Sequence, residues 1–133
     1  MKLEVVKVSK HMQDKCRKFA QESVHSSKAH WNKRNVVSEE RMIEDIYTGK
    51  MGECGAYNLL KIHGFDIKKP DFEIYEGRRK SFNADLSDGN RSFHCKSQST
   101  ESALKYGQSW ILQYGGNGFG HTDKLFRKRT NKE

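Results

Sequence analysis

Asp85, His94, Lys96 and Gln98 are the residues whose types and spacing could do chemistry. Asn83-Ala84-Asp85-Leu86, a turn at Ser87-Asp88-Gly89-Asn90, and Ser92-Phe93-His94-Cys95-Lys96-Ser97-Gln98 together read as a β-hairpin. Residues two apart on a strand share a face. Ser92, His94, Lys96 and Gln98 therefore fall on one face, and Phe93 and Cys95 on the other. The polar face sets a cation and a base or ligand beside a carboxylate. Metal-assisted phosphodiester hydrolysis needs that combination: a carboxylate to hold a divalent cation and a lysine near the attacked phosphate. The plainer alternative is a solvated cross-strand pair of Asp85 and Lys96, because antiparallel strands often have one wet face. The company these residues keep favours chemistry: a basic chain, a helix bearing Glu53 and a Gly-rich segment.

These residues need elements to position them. The chain has 133 residues, 34 % of them hydrophobic and 32 % charged. That is enough for one domain with a modest core. Two Trp, seven Phe and five Tyr argue against full disorder. A formal charge of +8 favours a polyanionic partner, most often nucleic acid. Cys16, Cys54 and Cys95 are odd in number and widely spaced, which argues against a disulfide scaffold or a zinc finger and suggests a reducing compartment. With no long apolar run and no signal-peptide core, the chain is expected to be soluble and cytoplasmic, without a membrane.

Leu3, Val5 and Val6 suggest a short strand, and a helix is expected from His11 to Ser23, where Met12, Cys16, Phe19 and Ala20 recur at helical spacing. The segment with Lys28, Trp31, Lys33 and Arg34 is basic with one aromatic, and could touch a phosphate backbone while Trp31 stacks on a base. A basic surface loop with Trp31 tucked onto the core fits it equally. Ser38 should cap a helix whose apolar face is Met42, Ile43, Ile46 and Tyr47. Thr48-Gly49 interrupts that pattern, and a second helix is expected from about Lys50 to His63, with Gly64 as its stop. Gly52, Gly55 and Ala56 would let this second helix approach a sheet closely. Strands are expected at Phe72–Tyr75, Ser81–Leu86, Ser92–Gln98 and Ser109–Tyr114, with a short helix over Thr100–Gln108. A Gly-rich loop at 115–120 and a basic helix with Lys124 and Arg127 follow.

The order of helix, three-strand meander, short helix and strand resembles the PD-(D/E)xK nuclease superfamily. Glu53 on a helix, Asp85 on a central strand and the His94-Cys95-Lys96-Ser97-Gln98 run carry the resemblance, over roughly residues 49–113. It implies an α/β (α+β) fold with a restriction-endonuclease-like core: a mixed β-sheet of about four strands flanked by helices. Residues 1–133 would form a single nuclease-like domain, with a helical N-terminal extension over 1–35, the core over 36–114, and the Gly-rich loop and basic C-terminal segment over 115–133. It also implies a metal-dependent endonuclease with Mg²⁺ or Mn²⁺ held by Asp85, Glu53 and the Cys95 carbonyl. Lys96 would activate or position water, with His94 and Gln98 beside it. The chain departs from the family where His94 replaces the second acid, two positions before Lys96. Histidine brings no negative charge there, and Glu53 could compensate. A literal Pro70-Asp71 pair upstream makes Asp71 the alternative motif acid.

The implied partner is DNA, with RNA as the alternative; a homodimer would suit cutting both strands. Lys28, Trp31, Lys33, Arg34, Gln113, Lys124 and Arg127 are the candidate nucleic-acid contacts. The Gly-rich loop lacks the Gly-Lys-Ser/Thr of a Walker A cradle, and no dinucleotide fingerprint is present. The rival readings are a basic nucleic-acid-binding module without catalysis and a protein that binds an acidic partner.

Overall fold

The structure, a computed structural model, describes residues 4–26, 38–74 and 85–108. These residues form helix α1 (Lys10–Ser26), helix α2 (Glu39–Ile62), strands β1 (Leu86–Ser87) and β2 (Ser92–Phe93), and helix α3 (Thr100–Tyr106). The chain divides into two compact units, Met1–Ser99 and Thr100–Glu133. Within the second unit, the described part is α3 and the two residues after it. α3 fits the short helix expected from sequence, and Gly107 follows it with φ +73°.

The first unit is built on α1 and α2, which run in opposite senses. Cys16, Ala20 and Val24 recur every fourth residue along α1 and are buried. They meet the side of α2 that carries buried Met42, Lys50 and Cys54. Cys16 Sγ and Cys54 Sγ lie 3.6 Å apart as free thiols. Near the middle of the pair, Arg17 stacks 3.7 Å over the Tyr47 ring and reaches Glu44. Residues 4–9 run back along α2, where Asn58 Nδ2 donates to the Lys7 carbonyl at 3.1 Å.

α2 is one helix rather than the two expected, and Thr48-Gly49 lies inside it. Ser38 Oγ caps its first turn by accepting from Arg41 N–H at 3.2 Å. Its C-terminus closes as a Schellman motif: Phe65 N–H donates to the Leu60 carbonyl and Gly64 N–H to that of Lys61. Gly64 has φ +84°, the left-handed position for which glycine is suited. The helix runs through Gly49 because a glycine costs only about 1 kcal/mol against alanine, which packing against α1 offsets.

Among the described residues the expected four-strand mixed sheet of a restriction-endonuclease-like core does not form. The described residues are mostly helical, with a two-stranded antiparallel sheet that pairs Leu86 with Phe93 and Ser87 with Ser92. Two local competitions shorten the strands. Asp85 Oδ2 accepts the Cys95 N–H at 2.8 Å, a donor that an uninterrupted ladder would give to a backbone carbonyl. In the segment expected to be the first strand, Asp71 Oδ1 accepts the Glu73 N–H and bends the chain into an Asx turn. Phe72 then packs edge-on against Phe19 of α1, with ring centroids 5.8 Å apart. Residues 4–9 form no strand either. The rest of the expected Ser81–Leu86 strand, the Ser109–Tyr114 strand, the Gly-rich loop and the C-terminal basic helix lie outside the described residues.

The hairpin turn is held by Asp88, which accepts from Asn90 N–H (2.9 Å) and Arg91 N–H (2.6 Å) and pairs with Arg91 Nε (3.0 Å). These hydrogen bonds, that from the Arg91 N–H foremost, keep the Asp88 carboxyl below its usual range. Leu86 and Ile67 are buried beneath the hairpin, and Phe93 meets Phe65 edge-on at 5.8 Å.

Candidate active site

The site is assembled where the segment after β2 meets the middle of α2. Gly52 makes that meeting possible. A side-chain carbon at position 52 would overlap Ser97 Oγ and lie 2.9 Å from Ser97 Cβ. Small residues are expected to let α2 approach a sheet; at Gly52 the close approach is instead to the non-strand segment carrying Lys96. At Gly55 an added carbon would touch only Val8, at 4.0 Å.

Asp85 meets the 94–98 segment, but the register, extended by one pair, sets it across from His94 and not from Lys96, the cross-strand partner read from the sequence. Asp85 Oδ2 accepts the Cys95 N–H, and His94 Nδ1 lies 3.9 Å from the same oxygen, too far for a hydrogen bond. Lys96 is exposed and Gln98 half-buried on the same segment, and each makes contacts of its own.

Glu53 follows Gly52 on α2, the residue against which Ser97 packs, and its Oε2 accepts from Lys50 Nζ. Burial foremost, then the carboxylates of Asp85 and Glu53, push the Cys95 thiol up to about 11, against the opposing charge of Lys50. Mg²⁺ and Mn²⁺ prefer oxygen to sulfur, so Cys95 would serve such a cation through its backbone carbonyl.

The sequence pattern did not single out Lys50, and its spacing of three from Glu53 on a helix was the one available signal. Its side chain is 5 % exposed. Lys50 Nζ donates to Glu53 Oε2 at 2.8 Å and to the Asp71 carbonyl at 2.7 Å. It also lies 4.6 Å from the Phe19 ring centroid and 5.4 Å from that of Phe72. Asp71, the alternative motif acid, therefore meets the site through its carbonyl, while one of its carboxylate oxygens holds its own turn.

Two carboxylates and a backbone carbonyl are hard oxygen donors of the kind Mg²⁺ and Mn²⁺ prefer. Among the described residues no three His, Cys, Asp or Glu side chains are grouped so as to hold a metal. A cation here would therefore depend on the carbonyl and on water as well as on the two acids. The expected nucleic-acid contacts Lys28, Trp31, Lys33, Arg34, Gln113, Lys124 and Arg127 lie outside the described residues. Among the described residues no helix is long and apolar enough to cross a membrane. Compared with protein-family models, with curated proteins and with solved structures, the chain matches none.

Proposed function

We propose that the chain is a metal-dependent endonuclease of the PD-(D/E)xK type, acting on DNA. The observation that carries this reading is the convergence at Cys95. Its N–H is bound by Asp85, and its segment is packed through Ser97 against Gly52, the residue before Glu53 on α2. The reading rests on this local arrangement and not on a four-strand core.

In it, Asp85 and Glu53 supply the negative charge that holds a divalent cation, and the Cys95 carbonyl completes the protein donors. A bound divalent cation supplies positive charge against the phosphate and makes water more acidic. The Asp85–Cys95 hydrogen bond fixes the carboxylate against the backbone that leads directly to Lys96. Lys96 sets its ammonium against the scissile phosphate and stabilises charge that develops there. The basic segments around Lys28–Arg34 and Lys124–Arg127 bind the phosphate backbone, as a net charge of +8 favours.

The test is supercoiled plasmid incubated with Mg²⁺, with and without chelator. Chelator-sensitive nicking that Asp85→Asn abolishes supports the reading. A gel shift without nicking in any metal, weakening steeply with salt, would replace it with a non-catalytic binding module.

A further inference from the structure

Lys50 is the buried charged side chain of the described core, and the roles assigned above do not use it. Its surroundings are specific. Nζ bridges Glu53 Oε2 on its own helix to the carbonyl of Asp71 on a separate segment, beneath the rings of Phe19 and Phe72. A surface lysine would keep its head in water; here the head is drawn inward and two of its three donors go to one carboxylate oxygen and one carbonyl. The carboxylate it meets is the one the proposed site needs for a cation. A cation paired with Glu53 is thus already part of the fold.

We infer that Lys50 is a resident counter-ion at Glu53, whose ammonium competes with a divalent cation for the same carboxylate. Resting on the metal-site reading above, the inference makes Lys50 a positioning residue that sets how tightly that site takes metal. Without metal, Lys50 neutralises Glu53 and ties α2 to the Asp71 segment. With metal, the ammonium and the cation repel across a partly buried carboxylate, so affinity is held down. Removing the ammonium removes the repulsion but leaves Glu53 uncompensated in the metal-free protein, which is destabilising for a buried charge.

The experiment titrates Mn²⁺ into the full chain and follows free Mn²⁺ by its electron paramagnetic resonance signal, with melting curves at each concentration. Lys50→Met is expected to bind Mn²⁺ more tightly than wild type by on the order of tenfold. It should melt lower without metal, and gain more in Tm from Mn²⁺ than wild type does. Lys50→Met with Glu53→Gln removes both partners; it should recover metal-free stability and lose the tightened binding. If Lys50→Met does not fold in either condition, Lys50→Gln takes its place with the same expectations. Affinity in the Lys50 variant within twofold of a wild type that itself binds Mn²⁺ overturns the inference alone. Lack of saturable binding by both wild type and the Lys50 variant overturns the metal-site reading, and the inference with it.

Discussion

Adding one methyl group at Gly52 tests whether the close approach of α2 to the Ser97 segment builds the site. In a helix, Gly→Ala normally gains about 0.5–1 kcal/mol. Here the new carbon would overlap Ser97 Oγ and sit 2.9 Å from Ser97 Cβ. Rotating Ser97 clears the first conflict; the second requires the backbone to move, because ordinary carbon contacts begin near ~3.5 Å. Overpacking of this kind costs about 1–3 kcal/mol. The net expectation for Gly52→Ala is a loss of about 1 kcal/mol, or roughly 4 °C in Tm. Gly49 is the internal control, because an added carbon there meets nothing within 4 Å. Gly49→Ala should gain about 0.5–1 kcal/mol, so two identical changes three residues apart should shift Tm in opposite directions. Lys96 adjoins Ser97, and a displacement of about 1 Å at a catalytic group can cost on the order of 10² in rate. Ser97→Gly removes both offending atoms and should restore the stability of Gly52→Ala. Thermal melts and nicking rates of the four proteins decide the matter. Gly52→Ala as stable as Gly49→Ala would refute the packing argument.

Burial leads the rise of the Cys54 thiol to about 12 and of the Cys95 thiol to about 11. Both should alkylate slowly in the native protein at pH 8 and fast in denaturant, and equal rates would contradict the burial described. Both folded values exceed the ordinary 9.0, so the associated stability is complete below pH 9 and is lost as pH rises toward 11 to 12. Chemical denaturation should show this fall, and Cys95→Ala should make it shallower; an equal fall in the variant would count against Cys95. His94→Glu sets a second carboxylate beside Asp85, where His94 Nδ1 now lies 3.9 Å away. It should lower the metal-free Tm and keep or raise nicking with Mg²⁺, whereas a loss matching His94→Ala would mean the imidazole has a task of its own.

The elements that sequence resolved best are those whose signals are local. Ser38 as a cap, Gly64 as a stop and the period of Cys16 and Ala20 need no knowledge of the rest of the chain. The hairpin turn was legible for the same reason, since Asp88 and Gly89 make it from their own atoms. The sheet was not legible, because strand patterns do not reveal side chains that compete for ladder donors, as Asp85 does at Cys95 and Asp71 at Glu73. Thr48-Gly49 misled because glycine propensity is small against the packing of a long helix on its neighbour. Within the site, Asp85, His94 and Cys95 come together through hairpin register, which sequence can suggest. Lys50 could not be foreseen: its burial depends on Phe19 and Phe72 arriving from separate segments.

Under the proposed function, Lys96 works on a phosphodiester beside Asp85 and Glu53. Single-turnover cleavage of supercoiled DNA by Lys96→Ala, at saturating DNA and Mg²⁺, tests it most directly. Loss of one electrostatic contact of this kind costs on the order of 10²–10³ in rate, and that is the predicted drop, with DNA binding nearly unchanged. A surface ion pair would be worth about 0–1 kcal/mol to stability and nothing to the chemical step. A Lys96→Ala rate within a few-fold of wild type would contradict the claim.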